Sequence, residues 1–158
     1  MDEVVLRALA KWPDVPDVYG WLALDRRGNW LLRGERIGNR ALRDFIGRNY
    51  AADGRGCWYF QNGPQRVFAA LAYTPLVLHL QGDALFDHCG RTFEAPHQEF
   101  VDEEGSVLVA GASGVGLLDD RDLARYVDAR DLESAPRIRR LEAAVRFGFI
   151  PDPGPDAS

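Results

Sequence analysis

Arginine is the main chemical resource of this sequence. Eighteen arginines stand against one lysine, Lys11. Nine of them fall between Arg26 and Arg66, opposed only by Glu35, Asp44 and Asp53, for a local charge of +6. Guanidinium is planar, permanently charged and suited to bidentate recognition of carboxylate or phosphate. Arg36, Arg40 and Arg43 are spaced to gather at the first turn of a helix capped by Asn39. The macrodipole is positive there, so cations are unfavourable unless an anion joins them. Trp30, Trp58, Tyr59 and Arg66 interleave with the charge and offer stacking surfaces. The expected anion-binding residues are therefore Arg36, Arg40, Arg43, Arg66 and Trp58. The competing expectation is that all four tryptophans are core and the arginine stems cover their edges.

A second set of reactive side chains comprises His79, Asp87, His88, Cys89 and His97. Imidazole and thiolate are zinc ligands, but these spacings match no established ligand pattern, and strand neighbours 88 and 89 would point to opposite faces. A Cys89 nucleophile would need one of the histidines within hydrogen-bond reach. Cys57, between Gly56 and Trp58, reads as a small core residue. The segment Gly111-Ala112-Ser113-Gly114-Val115-Gly116 follows an apolar run, as a phosphate-binding loop would. It lacks the dinucleotide fingerprint and any Gly-Lys-Ser/Thr sequence, and it also fits a hairpin turn with 115–118 returning. Asp102-Glu103-Glu104 and Asp119-Asp120 are placed as turn and cap residues. With no Gly-x-Ser-x-Gly or His-Glu-x-x-His signature, binding is expected ahead of catalysis.

These residues need a scaffold. The 158 residues are 46% hydrophobic and 27% charged, the composition of a globular protein rather than a disordered one. One domain over residues 1–150 is expected, followed by a disordered tail over 151–158 with three prolines. No signal segment opens the chain, no apolar run reaches membrane length, and two cysteines make no disulfide framework, so a cytoplasmic location is expected. Asp2 is placed to cap a short helix with Val5, Leu6 and Leu9 on one face. Strands are expected at 18–25, 29–33, 57–61, 65–73, 76–81, 91–94, 99–102 and 106–110. Helices are expected from Asn39 to Tyr50, from Asp119 or Asp120 to Arg130, and from Ser134 to Phe147 with Ile138, Leu141 and Val145 inward. Asp25-Arg-Arg-Gly28, Asp53-Gly-Arg-Gly56 and Asp102-Glu-Glu-Gly105 share a turn pattern in which aspartate closes on its own backbone and glycine supplies positive φ. The fold class is α+β: a bent, mainly antiparallel sheet with three to four helices on one face or at the ends.

Several blocks resemble one family of small uncharacterised proteobacterial proteins. They are Lys11-Trp12-Pro13-Asp14-Val15-Pro16, Tyr19-Gly20-Trp21-Leu22-Ala23-Leu24-Asp25 and Phe45-Ile46-Gly47-Arg48-Asn49-Tyr50. Phe60-Gln61-Asn62-Gly63-Pro64-Gln65-Arg66-Val67 and Gly116-Leu117-Leu118-Asp119-Asp120 complete the set. The resemblance spans roughly residues 11–123 and implies a bacterial cytosolic domain, with no activity, ligand or catalytic residue attached. The expected function is a binding or interaction protein whose partner is an anionic small molecule or an acidic protein segment, with nucleic acid less favoured. No cofactor and no membrane partner are expected. An enzyme using His79 to His97 is one alternative. The other is a homodimer or larger homo-oligomer, aided by the −9 charge between Asp83 and Glu133.

Overall fold

The computed structural model describes residues 1–155. Two compact units are distinguished within the chain: residues 1–25, 29–72 and 149 onward form the first, and residues 26–28 and 73–148 the second. The architecture is α+β, as expected, with the strands divided between two mixed, mostly antiparallel sheets.

The first unit opens with α1 (Glu3–Lys11), of which only Val5 is buried. Asp2 does not cap it through its side chain. The Asp2 carboxylate instead accepts from Arg48 Nε at 3.2 Å. The sheet comprises β1 (Val18–Leu24), β2 (Trp30–Leu32), β3 (Glu35–Arg36), β4 (Tyr50–Ala52), β5 (Trp58–Asn62) and β6 (Gln65–Leu71). Its order is β3-β2-β1-β6-β5-β4, with β1 parallel to β6 and the other pairs antiparallel. Helix α2 (Arg40–Arg48) lies between β3 and β4. Asn39 caps it as expected, accepting the Leu42 N–H at 2.9 Å. The helix stops earlier than expected because fully buried Asn49 is committed elsewhere. Its Nδ2 donates to Phe45 O, its Oδ1 accepts from the Asp2 amide, and its carbonyl accepts from the Gln61 amide. Tyr50 is thereby released into β4.

Residues 149–153 pack with this first unit: Phe149 and Pro153 are buried and the Pro151 carbonyl accepts from the Leu71 amide at 2.7 Å. Residues 151–153, expected to belong to a disordered tail, are part of this packed segment, and residues 156–158 lie outside the described residues.

The second unit holds β7 (Leu76–Gln81), β8 (Ala84–Asp87), β9 (Gln98–Val101), β10 (Val107–Gly111) and β11 (Gly114–Leu118), in the order β8-β7-β11-β10-β9. Here β7 is parallel to β11 and the remaining pairs are antiparallel. The two units share one feature: an antiparallel run, β1-β2-β3 in the first and the β7-β8 hairpin in the second, has its first strand parallel to the last strand of a three-stranded meander. A 3-10 turn (Asp120–Asp122), α3 (Leu123–Asp128) and α4 (Ala143–Phe147) follow β11.

The expected helix over 134–147 forms only at its end. Residues 136–138 instead run along β9, with the Val101 amide donating to Pro136 O and the Ile138 amide donating to Val101 O. These sheet-edge bonds use the backbone groups a helix would need. Ile138 is buried, but Leu141 and Val145 are 80% and 89% exposed. The expected strand at 91–94 reduces to one bridge between Thr92 and Phe86.

Among the described residues the aspartate turn occurs at the three expected positions and at a fourth, Asp87. Oδ1 of Asp53 accepts from the amides of Arg55 and Cys57, Oδ1 of Asp102 from Glu104 and Ser106, and Oδ1 of Asp87 from Cys89 and Arg91. Asp25 closes on the Asn29 amide. Asp87, His88, Cys89 and Gly90 are therefore turn residues first.

Candidate functional site

Among the described residues, the arginine-rich segment is built by the β2–β3 hairpin and α2. Its two-residue loop, Arg33-Gly34, has φ values of 50° and 83°. Positive φ at both positions matches the right-handed strand twist and usually selects Asn-Gly or Gly-Gly. Arg33 is the one non-glycine residue with positive φ among those described. That backbone costs an L-residue about 1–2 kcal/mol, which turns attention to what its side chain does. The guanidinium lies 3.9 Å from the Trp21 ring centroid.

Arg36 is exposed on β3, and its register partner is Leu31. Arg40 is exposed and makes only a loose 3.8 Å contact with Asp44. Arg43 is half-buried, and its Nε is buried with no hydrogen-bond partner. Among the described residues, no carboxylate lies within salt-bridge distance of Arg33, Arg36 or Arg43.

The other two expected members do not share one surface. Trp58 alternates with Phe60 on β5 and packs against Tyr50, with ring centroids 5.0 Å apart. Arg66 opposes Gln61 and lies over Tyr59 at 4.3 Å, on the other face of the sheet. Trp30 is core, 2% exposed, but Trp12 and Trp21 are 57% and 48% exposed, so the expectation of four core tryptophans fails for those two. Of the expected set, Arg36, Arg40 and Arg43 remain within one segment, 33–43, together with Arg33.

Beneath α2 lies a cavity of about 250 Å³ lined by Val18, Trp21, Leu22, Leu32, Ile37, Leu42, Phe45, Ile46, Phe60, Asn62, Gln65 and Val67. Phe45 meets Phe60 edge to face at 5.6 Å, fixing the helix on this side of the sheet. Among the described residues, no charged group lines the cavity. A register shift in β1 between Val18 and Leu22, with Gly20 at φ 78°, turns Trp21 toward it. Bulges of this kind re-aim side chains. Sequence reasoning missed Arg33 and Trp21. The one local signal was Leu32-Arg33-Gly34-Glu35, a tight hairpin with arginine where asparagine is usual.

The histidine and cysteine set does not converge. His79 Nδ1 lies 3.1 Å from Asp119 Oδ2 and 4.0 Å from Asp122 Oδ2. Burial alone would raise Asp119, but hydrogen bonds from the Arg121 guanidinium and amide outweigh it and hold the carboxyl at about 2. Arg121 reaches Asp119 at 2.6 Å, Arg125 reaches Asp122 at 2.8 Å, and Arg27 reaches Asp120 at 3.0 Å. The ligand-capable atoms of His79, Asp119 and Asp122 fall within 4.8 Å of one another. Both carboxylates are already engaged by guanidinium, so a cation would have to displace an arginine.

His79 and His88 meet at Gly28, where an added Cβ would lie 2.8 Å from His88 Cβ and 3.2 Å from His79 Nε2. The His88 ring accepts the Val77 amide at its Nδ1. His97 packs on Phe93 with centroids 5.9 Å apart. Burial pushes the Cys89 thiol well above its ordinary range, and Asp87 adds to the effect, which is opposite to what a thiolate nucleophile needs. The glycine segment 111–116 is the β10–β11 hairpin, with Gly111 opposite Gly114, and so not a phosphate loop.

Two solved structures share the fold. A DUF1285 family protein from Silicibacter pomeroyi DSS-3 aligns with a TM-score of 0.58 at 17% identity, over 85% of this chain and 87% of that one. A DUF1285 family protein from Shewanella baltica OS155 aligns with a TM-score of 0.52 at 11% identity, over 70% of this chain and 93% of that one. At these identities the likeness is one of fold. No curated protein matches the sequence. Residues 1–150 match the model of the DUF2944 family, described as "Protein of unknown function (DUF2946)", and the chain belongs to that family.

Proposed function

We propose that the protein is a binding module that recognises an anionic group through Arg33, Arg36, Arg40 and Arg43. The observation that carries this reading is the lack of compensation. Four arginines fall within eleven residues, and three of them have no carboxylate in reach among the described residues. Cations gathered beside a helix N-terminus repel one another and the dipole, and an anion relieves both. The Asn39 side chain accepts the Leu42 amide, and the first amides of a helix have no intrahelical partner. The anionic partner is a small molecule or an acidic protein segment.

Calorimetric titration with inorganic pyrophosphate at low ionic strength tests the reading. Wild-type protein should bind, and the triple variant Arg36→Gln, Arg40→Gln, Arg43→Gln should lose at least tenfold in affinity. Equal affinity in the two proteins would overturn the assignment.

A further inference from the structure

The cavity beneath α2 makes the anion reading more specific. Its lining is apolar apart from the two amides Asn62 and Gln65 at the β5–β6 turn. Gln65 Nε2 already donates to Pro16 O. An engineered apolar cavity of roughly 150 Å³ stays dry and accepts benzene. At about 250 Å³ this one exceeds the needs of a single ring.

Three features converge on its mouth. The β1 irregularity at Gly20 presents Trp21, which remains 48% exposed despite its place in the lining. Arg33 holds a left-handed backbone that arginine rarely adopts, and its guanidinium covers that same indole at 3.9 Å. No carboxylate among the described residues engages that guanidinium. Strained non-glycine residues persist where the surroundings over-determine them, commonly at ligand clamps.

We propose that the cavity takes the apolar chain of a small amphipathic carboxylate of medium-chain fatty-acid type, with Arg33 receiving the carboxylate above Trp21. The inference rests on the anion reading and narrows it: the charge is recognised at the rim and the chain inside. Guanidinium and carboxylate match as a bidentate pair, and the uncharged lining excludes a polyanion from the interior.

The test compares decanoate, decan-1-ol and pyrophosphate on three proteins: wild type, Arg33→Gln and Leu42→Trp. Leu42 is 40% exposed at the rim, so tryptophan there occludes the entrance without entering the core. Wild type should bind decanoate at 1:1 stoichiometry. Leu42→Trp should weaken it at least tenfold, with circular dichroism confirming an unchanged fold. Arg33→Gln should weaken decanoate at least fivefold and leave decan-1-ol unchanged. If pyrophosphate binds and decanoate does not, this inference falls and the anion reading stands. Decanoate binding unaffected by Leu42→Trp overturns the cavity assignment, and equal binding of decan-1-ol and decanoate overturns the role of Arg33. Failure of both decanoate and pyrophosphate removes the inference together with the reading beneath it.

Discussion

The acidic turn Asp119–Asp122 and the basic segment Arg33–Arg43 are both dense in charge, and they handle it in opposite ways. Each aspartate of the turn meets its own arginine: Asp119 with Arg121, Asp120 with Arg27, and Asp122 with Arg125. The turn closes on itself and leaves nothing for a ligand to supply. Among the described residues, the one arginine of the basic segment with a carboxylate in salt-bridge range is Arg40, 3.8 Å from Asp44. Local charge alone therefore does not mark a site, and the presence or absence of built-in counter-charge separates a structural network from an open one. The two sheets sharpen the lesson, because in both the first strand lies parallel to the last strand of a three-stranded meander. What differs is what the chain inserts into that scheme. The first unit inserts α2 after β3, making a cavity and a row of arginines, whereas the second inserts the aspartate turn 87–91 after β8.

Removing the keystone of the closed network should have the largest effect. Asp119→Ala takes the acceptor from Arg121 and His79, and the Asp119 side chain is 1% exposed. Holding this carboxyl at about 2, below its ordinary 3.8, represents stability of the order of 2 kcal/mol above pH 4. The sign follows from a depressed acid: its contribution is full above the unfolded value and is lost as pH falls through the folded one. Urea unfolding of wild type and variant should therefore differ most at neutral pH and converge between pH 4 and pH 2. A constant difference across that range would detach Asp119 from the network.

A backbone change in the second unit should come next. Gly28→Ala places a Cβ 2.8 Å from His88 Cβ at φ 85°, which should lower the thermal midpoint by several degrees. The open segment should behave in the reverse manner. Arg36→Gln, Arg40→Gln and Arg43→Gln together should leave the thermal midpoint near that of wild type, because no close ion pair is lost, while anion affinity falls. The smallest effect is expected at the Arg27–Asp120 pair, 51% and 66% exposed. Asp120→Asn should leave the denaturant midpoint unchanged, as solvent-exposed pairs usually contribute little. The comparison also bears on Cys89. Iodoacetamide at pH 8 should add no mass to the native chain and two adducts in urea, and rapid native alkylation would revive a thiol-based reading.

The sequence was most legible where hydrogen bonding is local. The aspartate turns at 25, 53 and 102 and the Asn39 cap follow from side chains bonding backbone within four residues. The fourth turn, at Asp87, is masked in the sequence by His88 and Cys89, whose types suggest metal and thiol chemistry. Long-range bonds hid the rest. Residues 136–138 carry helical periodicity but bond to Val101, and nothing near them in sequence announces that partner. The arginine segment was legible as charge, whereas its division was not. Sheet register alone places Arg66 with Tyr59 on one face and Trp58 with Phe60 on the other. Arg33 and the cavity depend on the β1 irregularity and a left-handed loop position, which side-chain type does not encode.

The central claim is that compensation, rather than charge, distinguishes the two segments. It is tested most directly by following arginine Nε–Hε signals by NMR during a pyrophosphate titration. The account predicts that the signals of Arg33, Arg36 and Arg43 move together and saturate, while those of Arg27, Arg121 and Arg125 stay in place. Equal movement of both sets, or movement confined to the paired arginines, would contradict it.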